Sequence, residues 1–103
     1  MGIRGQYKNK RDANEKEIFS ILRSYGIQVE PMDVPCDAVC AYMGNNYLVE
    51  VKNGLQAKLT KSQQKFKDNW SGNFVIISTD EAAHSWAKNV RRCGKIPFAG
   101  TIA

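Results

Sequence analysis

Apolar residues recur at helical spacing in three stretches of the chain. In the first stretch they lie three and four residues apart and form one stripe: Ile18, Ile21, Leu22 and Tyr25. The second stretch begins near Leu59 and places Gln63, Phe66 and Trp70 on one face. The third begins near Asp80 and has an apolar set at the same spacing: Ala82, Ala83, Trp86 and Val90. The pattern therefore predicts three helices.

Between these helices the apolar residues alternate or run continuously, as they do in β-strands. Residues 27–30 are predicted to form a short strand that Pro31 closes, and residues 35–53 form two strands joined at Gly44-Asn45-Asn46. The apolar run from Phe74 to Ser78 fits a strand that is buried on both faces. The predicted order is α-β-β-β-α-β-α, an α/β domain with a mixed sheet flanked by helices.

The third predicted strand carries two charges that a buried strand would normally avoid. Glu50 and Lys52 are two residues apart, so strand geometry places them on one face. If the hairpin loop is Gly44-Asn45 or the wider 43–46, Asp37 lies opposite Lys52 and on that same face. A three-residue loop would send Asp37 to the other face. Two carboxylates and a lysine on a rigid sheet are costly unless they pair or bind a metal, and they suit Mg²⁺.

Two of the predicted helices begin with the spacing of a capping box. Asp12 is the expected N-cap of the first helix, with Glu15 three residues later, and Thr60 with Gln63 repeats the pattern in the second. The acidic or amide residue at the third position of each capping box therefore has two interpretations. Glu15 either closes the cap or adds a carboxylate to the metal site, and Gln63 either closes the cap or lines a substrate groove.

Composition narrows the class of protein and of partner. A chain of 103 residues has room for one small core, so residues 12–103 are expected to form a single domain behind a basic N-terminal arm of residues 1–11. Lys and Arg outnumber Asp and Glu by 15 to 10, and the net charge of +5 favours a polyanionic partner such as nucleic acid, although solubility alone would also explain it.

The cysteine count and the absence of long apolar runs indicate the cellular compartment in which the protein is expected. Three cysteines make an odd number, which argues against a disulfide framework. The first residues do not resemble a signal peptide, and no apolar run approaches the roughly 20 residues that a membrane span requires. We therefore expect a cytoplasmic protein that does not enter a membrane.

Five pieces of the chain, taken in order, resemble the PD-(D/E)xK nuclease superfamily. Within it they are most similar to the virus-type replication-repair nuclease (VRR-Nuc) domains of phages and prophages. The pieces lie within residues 12–86: residues 14–18, Asp37, residues 47–54, residues 59–63 and the strand 74–78. An E-x-K triplet alone is a weak signal, whereas five pieces on the right elements are far more specific. One position departs from the family pattern, because Cys36 stands where the family has proline.

The resemblance implies a restriction-endonuclease-like core with a metal-dependent site. Asp37, Glu50 and the backbone carbonyl of Val51 would bind Mg²⁺, for which Mn²⁺ could substitute. Lys52 would orient or activate the attacking water and stabilise negative charge in the transition state. Two further positions match family residues on the helices, an acid and a glutamine: Glu15 and Gln63.

The implied activity is Mg²⁺-dependent hydrolysis of DNA phosphodiester bonds by an endonuclease. Stand-alone viral members and the related archaeal junction resolvases point to branched DNA, such as four-way junctions, and to a homodimer that works in DNA repair in the host cytoplasm. Ile96 and Phe98 either form the two-fold interface or pack on their own core. Basic residues expected to contact DNA phosphates are Lys8, Lys10, Arg11, Lys58, Lys61, Arg91 and Arg92. The helix dipole is the alternative explanation for the last two.

Three other interpretations compete with this one. A DNA-binding module that keeps the nuclease fold without catalysis would explain the charge, but not the convergence of Asp37, Glu50 and Lys52. A ribonuclease or restriction-type enzyme could use the same site. A zinc domain is disfavoured, because Cys36 and Cys40 would share a strand face about 13 Å apart at a rise near 3.3 Å per residue. His84, the single histidine, is expected to be a surface or packing residue.

Overall fold

One mixed β-sheet organises the chain in a computed structural model that describes residues 14–54, 58–93 and 99–102. The helices are α1 (Glu15–Ser24), α2 (Lys61–Asn69) and α3 (Asp80–Cys93). The strands are β1 (Gln28–Pro31), β2 (Ala38–Tyr42), β3 (Asn45–Val51), β4 (Phe74–Ile77) and β5 (Ala99–Ile102). The predicted order is confirmed as far as α3, and a fifth strand follows it. The predicted arm of residues 1–11 lies outside the described residues.

The strands lie side by side in the order β1-β2-β3-β4-β5. Strands β1, β2 and β3 pair antiparallel, whereas β3 with β4 and β4 with β5 pair parallel. The mixed sheet is therefore confirmed. Strand β5 was not predicted, because a four-residue segment at a sheet edge is too short to show a hydrophobic period.

Apolar side chains pack on both faces of the sheet, so the domain has three layers. The larger cluster joins α1 and α3 to one face through residues such as Ile18, Leu22, Val49 and Trp86. A smaller cluster on the other face contains Phe74 and Ile76, against which Phe66 of α2 packs. All four residues of β4 are buried, as predicted, and the inward set of α3 is confirmed. Among the described residues, no helix is long and apolar enough to cross a membrane.

The hairpin turn between β2 and β3 differs from both predicted loops. Its two central residues are Met43 and Gly44, with φ of 53° and 85°, so Tyr42 pairs with Asn45. A two-residue turn with positive φ at both positions matches the right-handed twist of the flanking strands. The register is shifted by two residues from the prediction, and an even shift keeps every side chain on its face. Continued by one residue, this register puts Asp37 opposite Glu50 instead of Lys52.

The predicted cap of α1 is wrong, while that of α2 is confirmed. Asn14 is the N-cap of α1 and Glu15 its first residue, so Glu15 is not the third residue of a capping box. The Asn14 side chain makes no cap hydrogen bond because it is engaged elsewhere. In α2, Thr60 and Gln63 form the reciprocal pair that their spacing predicted.

The expectation that Cys36 and Cys40 share a strand face is also wrong. Cys40 lies in the larger cluster and Cys36 in the smaller one, on the other side of the sheet. The reason is that β2 begins at Ala38, so Cys36 precedes the strand and does not follow its alternation. Both thiols are free and buried. The side chain of Cys93, like Ile96 and Phe98, lies outside the described residues.

Candidate metal and active site

Two carboxyl groups lie close together near the C-terminal end of β3. Asp37, just before β2, donates its backbone N–H to the carbonyl of Val49 at 3.1 Å, and its Oδ2 accepts from the N–H of Val51 at 2.8 Å. Glu50 is 3% exposed, and its carboxyl shares a hydrogen bond with that of Asp37. The structure thus brings together the two acids that the sequence analysis singled out.

Burial and the neighbouring acid make the Glu50 carboxyl hold its proton tightly. Desolvation and, after it, the charge of Asp37 together raise the pKa of Glu50 to about 7. The ammonium of Lys52, with Nζ 3.5 Å from Oε2 of Glu50, opposes both effects without cancelling them. The Glu50 carboxyl therefore keeps its proton to a higher pH than an exposed carboxyl does, and a bound cation would favour its ionised form.

Gln63 of α2 connects the charged residues of β3 to the start of the helix. Its Oε1 accepts from Nζ of Lys52 at 3.0 Å and from the N–H of Thr60 at 2.9 Å. Its Nε2 donates to Oε2 of Glu50 at 2.8 Å. The predicted capping role of Gln63 is therefore confirmed, and the same amide also orients the lysine and the carboxylate. Its role in lining a substrate groove stays a prediction.

Asn14 holds the end of β3 from the opposite side of the sheet. Its Nδ2 donates to the carbonyl of Lys52 at 3.2 Å and to that of Ser78 at 3.1 Å. Its Oδ1 is buried without a hydrogen-bond partner among the described residues. The sequence analysis missed this role, since no local pattern shows that the start of α1 meets the ends of two parallel strands.

The backbone after β3 turns sharply beside the same two strands. The N–H of Lys52 donates to the carbonyl of Ile77 at 3.1 Å, and that of Gly54 donates to the carbonyl of Ser78 at 3.3 Å. Gly54 has φ of 96°, a conformation that side chains with a Cβ rarely adopt. The turn therefore begins directly after Val51, the last residue of β3, and Lys52 is the first residue beyond the strand.

The donor set fits a hard divalent cation. Asp37 and Glu50 offer carboxylate oxygens and Val51, the last residue of β3, offers a carbonyl, which are the ligand types that Mg²⁺ prefers. Glu15 is buried, at 8% exposed. Within the part of the chain that the structure describes, no three His, Cys, Asp or Glu side chains form a group that could hold a metal. The predicted role of Glu15 as a further carboxylate therefore stays a prediction.

The predicted DNA-binding residues fall into separate places. Lys58 and Lys61 are exposed and lie on either side of Thr60, the N-cap of α2. Arg91 and Arg92 are exposed in the last turn of α3, whose other end follows Ser78. Lys8, Lys10 and Arg11 lie outside the described residues.

Neither the cysteine nor the histidine near these elements has the features of a nucleophile. The Sγ of Cys36 donates to the carbonyl of Ala38 at 3.3 Å, and burial raises the pKa of its thiol to about 11. The thiol therefore stays neutral and packs where the resembling family has proline. His84 is exposed, as predicted, and its Nδ1 lies 2.7 Å from the hydroxyl of Tyr25.

Comparison of the chain with protein-family models, with curated proteins and with solved structures finds no match.

Proposed function

We propose that this chain is a Mg²⁺-dependent endonuclease of the PD-(D/E)xK type that hydrolyses DNA phosphodiester bonds in the cytoplasm. The observation that supports it is one cluster at the end of β3. It joins the hydrogen-bonded carboxyls of Asp37 and Glu50 to Lys52 and Gln63. A buried carboxyl beside a half-buried one and a lysine is costly to fold, and metal-assisted hydrolysis accounts for this arrangement.

The chain contributes oxygen ligands at fixed positions. Asp37, Glu50 and the carbonyl of Val51 would hold the metal ion. When bound, such an ion polarises a phosphodiester and supplies hydroxide near neutral pH. The N–H of Val51 fixes Oδ2 of Asp37, and Gln63 fixes Oε2 of Glu50, so both carboxylates are oriented before any ligand arrives. Orientation in advance reduces the reorganisation that catalysis would otherwise require.

Lys52 is the cationic group that this site offers to a phosphate. Its side chain is 12% exposed, and its Nζ is held by Oε1 of Gln63 and by the carboxylate of Glu50. A partly buried ammonium interacts more strongly with a developing negative charge than an exposed one. We assign it the stabilisation of the transition state and the orientation of the attacking water.

Replacing Lys52 with methionine is expected to lower the rate of DNA cleavage about 100-fold to 1000-fold, the typical loss when one charge-stabilising donor is removed. Metal binding should persist, because Asp37, Glu50 and the Val51 carbonyl remain. Single-turnover cleavage of labelled DNA measures the rate, and Mn²⁺ titration measures binding. Lys65→Met, at an exposed position of α2, is the matched control. A Lys52→Met protein that cuts at the wild-type rate would refute the assignment, and a wild-type chain that binds DNA without cutting it would favour the non-catalytic module.

We further propose that a homodimer acts on branched DNA such as four-way junctions. The described part of each chain carries one candidate centre, and two cuts in opposite strands need two centres related by symmetry. We expect sedimentation equilibrium at micromolar protein to show a dimer. Each strand of a junction, labelled in turn, should be cut. A monomer at all concentrations, or cutting confined to one strand of unbranched DNA, would contradict this proposal without affecting the metal site.

A further inference from the structure

A shallow basic depression lies between the C-terminal ends of α1 and α3, away from the carboxylates. Its volume is about 320 Å³, and it is lined by Tyr25, Lys88, Arg91 and Arg92. The hydroxyl of Tyr25 is held at 2.7 Å by Nδ1 of His84, and their rings meet edge to face. When Nδ1 carries the proton, the Tyr25 hydroxyl accepts from His84 and its own hydrogen is free to donate to a ligand.

The cations of the basic depression are close to one another and form no ion pair with the described residues. Lys88 lies three and four residues before Arg91 and Arg92, so all three share one stripe of α3, where like charges repel. No carboxylate in residues 14–54, 58–93 or 99–102 forms an ion pair with them, although Arg92 donates to Oδ1 of Asn89 at 2.7 Å. The helix dipole explains cations in the last turn. It does not explain Lys88, a turn earlier, or the tyrosine hydroxyl beside it.

The lengths of α1 and α3 give two separate measures of the distance between the basic depression and the candidate centre. Asn14, at the start of α1, touches the end of β3, whereas Tyr25 caps the other end of that helix. Asp80, at the start of α3, follows the end of β4, whereas Arg91 lies in its last turn. At a rise of 1.5 Å per residue, both paths give a separation of roughly 15 Å. A phosphate at the depression therefore belongs to a different nucleotide from one at the carboxylates.

We propose that the basic depression binds a backbone phosphate of DNA remote from the one at the candidate centre. Lys88 and Arg91 would provide the charge, and the Tyr25 hydroxyl would provide a neutral hydrogen bond. This inference rests on the proposed function for its choice of DNA as the polyanion, and it adds a second point of contact to each chain. A branched molecule could engage both points with separate arms.

The test separates the charged from the neutral contacts. Anisotropy of a labelled duplex and of a four-way junction is measured without Mg²⁺, from 50 to 200 mM salt. We expect Lys88→Ala and Arg91→Ala each to flatten the slope of log K against log salt by about 0.9. Tyr25→Phe should raise the dissociation constant several-fold with no change in slope, since it removes no charge. Lys16→Ala, at an exposed position of α1, is the matched control and should leave the slope unchanged.

The outcomes distinguish this inference from the proposed activity, because binding is measured where no cleavage can occur. Unchanged slopes in Lys88→Ala and Arg91→Ala, or an equal change in Lys16→Ala, would show that the depression is not a phosphate site. The proposed metal centre would be unaffected. Wild-type binding with the expected slopes but no cleavage in Mg²⁺ would overturn the activity alone. Failure of the wild type to bind DNA would overturn both.

Discussion

Replacing Asp37 with asparagine is expected to lower the rate of Mg²⁺-dependent DNA cleavage at least about 1000-fold while the protein stays folded. The change removes one of two carboxylates that would hold the metal, and metal assistance contributes several kcal/mol to such reactions, with each 1.36 kcal/mol worth a factor of ten. Single-turnover cleavage of a labelled duplex measures the rate.

Asparagine is a better test than alanine at this position. Oδ2 of Asp37 accepts from the N–H of Val51, and an asparagine carbonyl oxygen can still accept that hydrogen bond. Alanine would leave the amide without its acceptor, at a cost of about 1–3 kcal/mol, and would confuse lost activity with lost structure. Circular dichroism and thermal unfolding verify that the fold is intact. Cleavage by Asp37→Asn at the wild-type rate would refute the metal centre.

Without added metal, the free energy of unfolding is expected to fall as the pH rises from about 5 to 8, by on the order of 3 kcal/mol. The pKa of Glu50 is raised to about 7 by burial and by Asp37, so the native state binds its proton more tightly than the unfolded chain does. This contribution is complete below the ordinary carboxyl pKa and is lost as the pH passes the raised one. Mg²⁺ should restore stability, and more at pH 8 than at pH 5.5.

Glu50→Gln should remove most of this pH dependence and most of the stabilisation by Mg²⁺. The glutamine side chain does not ionise, yet its oxygen can still accept from Nε2 of Gln63. Urea unfolding at pH 5, 6, 7 and 8, with and without Mg²⁺, measures both effects. Glu30→Gln, at an exposed position of β1, is the control. A wild-type stability that does not change over this range, or a Glu50→Gln protein with the wild-type slope, would show that folding does not raise the pKa of Glu50.

Much of the site could be predicted because it depends on the alternation of side chains along strands. The hairpin turn was placed one residue too far along the chain, which shifts the strand pairing by two residues. Asp37 and Glu50 still share a face, since an even shift preserves it. The cap at Thr60 and Gln63 is local and was predicted correctly. That Gln63 also reaches Lys52 and Glu50 follows from the packing of α2 on the sheet.

The features that were not predicted depend on contacts between distant parts of the chain. Asn14 binds the carbonyls of Lys52 and Ser78, which are far away in sequence and adjacent only because β3 and β4 pair in parallel. The cap predicted at Asp12 and Glu15 is wrong because the helix begins at Glu15, with Asn14 as its N-cap. Strand β5 exists through its pairing with β4, and its own residues carry too little pattern to reveal it.

Direct titration of Mn²⁺ tests the central claim, that Asp37 and Glu50 form a divalent-metal centre. Electron paramagnetic resonance counts free Mn²⁺ as the wild type and Asp37→Asn are titrated at pH 7.5, with Lys65→Met as the control. We expect saturable binding by the wild type and the control, displacement by excess Mg²⁺, and a loss of affinity of at least about tenfold in Asp37→Asn. Equal affinity in Asp37→Asn and the wild type, or no binding by the wild type, would contradict the account.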